Sequence, residues 1–192
     1  MAQRPSGAAA ADWAIELRGI NKRFGPVHAN KDIDLKVRRG SIHGIVGENG
    51  AGKSTLMSIL YGFYTADSGE IFVNGQRVDI TDSRHALALG IGMVHQHFML
   101  VDNFTILENV VLGAERTRRL GPTLEGARGE LLRLEREYNL EVDPDAIVED
   151  VSVGTQQRVE ILKALYRGSD VLILDEPTGV LTPSEADDLF RI

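Results

Sequence analysis

The chain has 192 residues, 43% of them hydrophobic and 26% charged, with a formal net charge of −7. That length supports one packed domain, or one core with a satellite lobe, and the negative balance argues against a general affinity for nucleic acid. The sequence contains no cysteine, which excludes a disulfide framework, a thiol nucleophile and a thiolate metal site within it.

In chain order, residues 1–12 mix Arg, Pro, Gly, Ser and Ala without a long hydrophobic stretch, and read as a disordered tail. Ile15-Glu16-Leu17-Arg18, Ile33-Asp34-Leu35-Lys36-Val37 and Ile71-Phe72-Val73 have the period-two spacing of half-exposed strands in an antiparallel layer. Ile42 to Val46 and Val171 to Leu174 are almost wholly apolar, which predicts strands buried on both faces of a parallel sheet. Between them, Thr105 to Leu112 and Leu124 to Tyr138 read as amphipathic helices, the second with Leu124, Leu131, Leu134 and Tyr138 on one stripe. Joints are expected at Gly121-Pro122 and Val142-Asp143-Pro144. No apolar run approaches the roughly 18–20 residues of a membrane-spanning helix.

After Ile42–Val46 comes Gly47-Glu48-Asn49-Gly50-Ala51-Gly52-Lys53-Ser54-Thr55, which satisfies G-x-x-x-x-G-K-[ST]. Glycines let the main chain curl so that successive N–H groups converge on phosphate oxygens, and the following helix directs its N-terminus at the same anion. Lys53 supplies a positive charge for the β- and γ-phosphates, and the Ser54 hydroxyl is a ligand for Mg²⁺. The plainer alternative is a glycine-rich turn capping an ordinary helix through Ser54 and Thr55; the strand-loop-helix context favours phosphate binding. Val171–Leu174 ends in Asp175-Glu176, where Asp175 suits a magnesium ion and Glu176 a hydrolytic water. On the plainer view these are the first polar residues after a core strand.

Val151-Ser152-Val153-Gly154-Thr155, followed by Gln156-Gln157-Arg158 and then by Asp170 to Gly179, resembles the signature and second acidic element of the ATP-binding-cassette family. The usual L-S-G-G-Q is altered at its first glycine and its glutamine, here Val153 and Thr155. The resemblance implies an α/β fold: a P-loop NTPase core with a mostly parallel central sheet, an antiparallel β edge layer and an inserted α-helical lobe. It divides the chain into an ATP-binding core at residues 13–97 and 168–192 and a helical lobe at 98–167. It also implies ATP and Mg²⁺ as cofactors, with Ser152 and Gly154 facing the γ-phosphate held by a second cassette. Gln96 then contacts Mg²⁺ and takes part in catalysis with Glu176, and the Phe24 ring stacks on adenine. Metal ligands on this reading are Ser54, Gln96 and Asp175. Thr182 stands where the family usually has Asp. His95 and His97 flank Gln96 with metal-like spacing, but no third ligand lies close by.

The family places a γ-phosphate-sensing histidine beyond the carboxylates. His28, His43, His85, His95 and His97 all precede them, so the sequence reads as a fragment, expected to bind nucleotide weakly and hydrolyse it poorly. Within the family, Val94 to Glu115 and Ser152 to Pro183 resemble importers of simple sugars and nucleosides. That implies an ATPase subunit on the cytoplasmic face of the plasma membrane. Its partners are a second cassette, as a dimer or in tandem, membrane-spanning permease subunits and, indirectly, an extracytoplasmic substrate-binding protein; no nucleic acid is expected. Phe98-Met99-Leu100-Val101 is a candidate permease contact, or else a continuation of the lobe's core. Three alternatives stay open: a soluble cassette ATPase acting on ribosomes or DNA, a small-molecule kinase, and a nucleotide-binding module without turnover.

Overall fold

The structure, a computed structural model, describes residues 12–95, 98–114 and 120–176. It divides into two compact units, residues 1–89 and 90–192, each of which is described by itself.

In the first unit, alternating apolar residues build an antiparallel sheet. Strands β1 (Trp13–Phe24) and β2 (Val27–Arg38) form a hairpin, β3 (Ser68–Val73) and β4 (Gln76–Val78) a second one, and the order is β2-β1-β3-β4. Asn74 and Gly75 both have positive φ (54° and 79°), as the tight two-residue turn between β3 and β4 requires. Register aligns Leu17 with Leu35 on one side and Ile71 on the other, so one sheet face buries Ile15, Leu17, Ile20, Ile71 and Val73. The expected antiparallel layer is therefore present, in the expected segments.

Glu16, opposite that face, is registered with Lys36 and Phe72. It accepts two hydrogen bonds from Arg18, at 3.1 and 3.0 Å, and pairs with Lys36 Nζ at 2.7 Å. Hydrogen bonds from Arg18 and then Lys36 hold its carboxyl down at about 2. The Arg18 guanidinium in turn lies 4.3 Å from the centroid of the Phe72 ring.

Helix α1 (Lys53–Leu60) buries Leu56, Ile59 and Leu60, and α2 (Ser83–Ala88) is capped by Asp82, which accepts from the His85 N–H. One expectation is corrected here. Residues 42–46 form no strand, and Ile42 and Val46 are 75% and 96% exposed. A parallel-sheet strand is held by ladders to its neighbours and covered on both faces, and no strand described in residues 1–89 pairs with it.

The second unit holds the parallel pairing. Strand β5 (Ile91–Val94) runs parallel to β6 (Val171–Leu174), Ile91 opposite Val171 and Val94 opposite Leu174. β5 is buried throughout, whereas in β6 only Ile173 is, so the full burial expected of β6 is not met. Helices α3 (Ile106–Val111), α4 (Leu120–Tyr138) and α5 (Val153–Tyr166) build one apolar cluster around Val110, Leu131, Leu134, Val148 and Leu162. Thr105 and Glu108 close a reciprocal capping box at the head of α3. The predicted stripe of α4 is present, with Leu131 and Leu134 buried and Leu124 and Tyr138 packed beside them. The joint expected at Gly121-Pro122 instead falls inside the first turn of α4, where a missing N–H removes no intrahelical bond. The second joint is present, residues 139–147 lying between α4 and a 3₁₀ turn at Val148–Asp150.

Candidate functional site

The glycine-rich segment folds as a loop running into α1. Gly50 and Gly52 have φ of 84° and 87°, a region closed to most side chains. Gly52 is the N-cap of α1. A Cβ there would lie 2.1 Å from the carbonyl oxygen of Ala29 and 2.9 Å from Nδ2 of Asn30, so strand β2 passes directly behind the end of the loop. Ala51 N–H donates to Glu48 O at 3.1 Å, and Lys53 Nζ folds back to donate to Gly47 O at 2.6 Å and Glu48 O at 2.9 Å. The loop is thus closed by its own ammonium group. Glu48, Asn49, Ala51 and Ser54 are exposed, while Thr55 is half-buried in the first turn of α1.

No Asp or Glu stands in that first turn, and the cap carries no side-chain hydrogen bond. The local arrangement therefore presents backbone N–H donors, the positive end of the helix dipole and one ammonium group, a combination suited to an oxyanion. Gly52, and neither Ser54 nor Thr55, occupies the cap.

Phe24, at the end of β1, is 41% exposed. Its ring meets Tyr64 edge-on, with centroids 5.1 Å apart and planes at 71°, and Lys22 Nζ lies 5.5 Å from its centroid. Lys22 is itself paired with Asp67 at 2.9 Å.

In the second unit, the ladder continues past β6, where Asp175 N–H donates to Val94 O at 3.1 Å. Asp175 and Glu176 thus follow the carboxyl end of β6, level with His95, and Glu176 has a left-handed backbone with φ 49°. Carboxyl ends of parallel strands are where α/β sheets place their ligand-binding groups. Burial lowers the affinity of His95 for its proton, against the opposing influence of Glu160 and Asp175. Gln96, His97 and Thr182 lie outside the described residues. Ser152 caps α5, its Oγ accepting from the Thr155 N–H at 3.2 Å, and Gly154 is buried in the first turn.

Two arrangements escaped the sequence reading. Asn30 is only 3% exposed in β2, and its Nδ2 donates to Gly52 O at 3.0 Å; it lies before the strand pattern that starts at Ile33, so no local signal in the sequence pointed to it. The other holds the segment after Gln96. Met99 N–H donates to Glu160 Oε1 at 2.8 Å, and Lys163 Nζ donates to Met99 O at 2.7 Å. Asn109 exchanges two hydrogen bonds with the Val101 backbone, at 2.7 and 3.0 Å. Burial pulls the Lys163 ammonium below its usual range, with Glu160 opposing. Leu100 turns into the core while the Met99 side chain stays 62% exposed. The segment is therefore both a core continuation and an outward-facing one.

Comparisons with known proteins fit this geometry. The profile of the ABC transporter family matches residues 30–179. The nucleoside import ATP-binding protein NupA of Lactococcus lactis is 51% identical over 183 residues, 95% of this chain and 36% of that protein. The guanosine import ATP-binding protein NupO of Bacillus subtilis is 50% identical, covering 94% and 36%, and the glucose import ATP-binding protein TsgD13 of Haloferax volcanii is 48% identical, covering 92% and 37%. The chain thus spans about a third of the length of these curated relatives. Among solved structures, cbiO1 from Clostridium perfringens, part of the ABC transporter complex cbiONQ, superposes with a TM-score of 0.79 at 27% identity, covering 94% of this chain and 72% of that one. The dimeric bacterial cassette MJ0796 gives 0.76 at 26%, covering 92% and 80%. With the P-loop sequence closed on its own lysine, acidic residues at the end of a parallel strand and a family match over most of its length, this chain belongs to the ABC transporter family.

Proposed function

We propose that the chain is the ATP-binding and hydrolysing part of an ABC importer for nucleosides or simple sugars, working at the cytoplasmic face of the membrane. The observation that carries the reading is the left-handed loop Gly50–Gly52 capping α1, with Lys53 folded onto the loop's own carbonyls. An entering triphosphate offers Lys53 better acceptors than two neutral carbonyls, since its oxygens carry full negative charge and add a charge–charge attraction to the ammonium hydrogen bond. The loop N–H groups then turn to phosphate oxygens. Phe24 offers a π surface for the base beside Tyr64, and Glu48, Asn49 and Ala51 form the exposed wall of the loop.

The donor set fits a hard cation bound mainly through substrate. Among the described residues no group of three or more His, Asp or Glu could cage a metal ion, whereas Ser54 and Asp175 offer oxygen ligands of the kind Mg²⁺ accepts singly, with Gln96 as a third. Bound Mg²⁺ would neutralise charge on the phosphates. Glu176 orients and deprotonates the attacking water, and Ser152 and Gly154 at the head of α5 address the γ-phosphate of a second cassette. Residues 13–97 with 168–192 are the ATP-binding core, and residues 98–167 the helical lobe.

Permease subunits are the proposed partners, with Met99 projecting toward them from its hydrogen-bonded anchor; a substrate-binding protein acts through them. No helix among the described residues is long and apolar enough to cross a membrane, which suits a subunit attached through partners. The substrate class is supported by the relatives, which are import proteins for nucleosides, guanosine and glucose. Glu176→Gln tests the reading. We expect Mg-ATP affinity to stay within a few-fold of wild type while phosphate release by the whole protein falls by about 100-fold or more. Undiminished release would remove Glu176 from the mechanism.

A further inference from the structure

We propose that Asn30 is a positioning residue for the phosphate loop, an inference that rests on the nucleotide reading of that loop. Asn30 is 3% exposed, and its Nδ2 donates to Gly52 O at 3.0 Å. Gly52 O also accepts the Leu56 N–H of α1 at 3.0 Å. Because Gly52 O can only accept, the amide must present its nitrogen there. Its oxygen is left buried, with no hydrogen-bond partner among the described residues. A buried acceptor without a partner is a cost the fold could avoid with a leucine. What the asparagine supplies against that cost is its donor.

What the donor does follows from the planarity of the peptide. In a trans peptide the C=O and N–H point in opposite directions. Pinning Gly52 O toward β2 therefore aims the Lys53 N–H away from the strand, toward the mouth of the loop. That N–H belongs to the first turn of α1 and has no intrahelical acceptor. Close approach makes the anchor rigid, since the Ala29 carbonyl sits where a Cβ of residue 52 would be, 2.1 Å away. Asn30 thus orients a phosphate-facing donor without touching the nucleotide.

Asn30→Leu removes both the donor and the orphan acceptor on the same branched side-chain skeleton, and Asn30→Asp replaces the donor with an acceptor that carries negative charge. Each is titrated with Mg-ATP and with adenosine, and the thermal midpoint without nucleotide is recorded. For Asn30→Leu we expect Mg-ATP affinity to fall roughly 10-fold, the equivalent of one hydrogen bond, adenosine affinity to hold, and the midpoint to stay level or rise. Asn30→Asp should lose at least as much Mg-ATP affinity. Should Asn30→Asp fail to fold, Asn30→Leu decides alone. Mg-ATP affinity within twofold of wild type in Asn30→Leu would overturn the proposal. So would parallel losses of Mg-ATP affinity, adenosine affinity and midpoint, the mark of a merely structural role. A wild-type chain that takes up no Mg-ATP would instead sink the nucleotide reading and this inference with it.

Discussion

Two glycines, Gly50 and Gly52, give the loop its curl, and Gly52 has the tighter constraint. Its left-handed backbone alone would cost another residue about 1–2 kcal/mol, and the Ala29 carbonyl leaves no room for a methyl group. Gly52→Ala is therefore expected to lower unfolding free energy by at least that amount in chemical denaturation, and to weaken Mg-ATP binding through displacement of the Lys53 N–H. A substitution tolerated on both counts would contradict the close approach of β2. At this scale the sequence was informative wherever chemistry is encoded in spacing: Gly47, Gly52, Lys53 and Ser54 were legible as a set. Asn30 was not, because its role depends on a contact 22 residues away in sequence, and no local pattern reports such a contact.

Among the elements, β1 to β3 were legible because apolar and polar residues alternate in parts of their sequences, a property each strand carries by itself. Residues 42–46 misled for the complementary reason. An unbroken apolar run is compatible with a doubly covered strand, yet the covering belongs to neighbours. Gly121-Pro122 misled because proline breaks helices only beyond their first turn. The β1 strand also carries a pH-dependent stabilisation. Glu16 is held at about 2 against an ordinary 4.5, so the unfolded chain takes up its proton first as the solution is acidified. The stabilisation is complete above about pH 4.5 and is lost as pH falls toward 2. Glu16→Gln should flatten the decline of thermal midpoint across that window and lower the midpoint at neutral pH, where Arg18 and Lys36 lose their counter-charge. An unchanged acid profile would show that the pair with Arg18 and Lys36 contributes nothing measurable.

For the molecule as a whole, the glycine-rich loop proposed to hold phosphate lies in residues 1–89 and the acidic strand end in residues 90–192. Family membership is what joins them into one proposed ATP cycle. The most direct measurement is a calorimetric titration of the chain and of its Lys53→Ala variant with Mg-ATP and with adenosine. The account predicts saturable uptake of Mg-ATP by the wild type and affinity lower by on the order of 10- to 100-fold in the variant, as expected for losing a charged hydrogen-bond donor to phosphate. It further predicts that the two proteins bind adenosine alike. Equal Mg-ATP affinity in the two proteins, or no uptake by the wild type, would contradict it.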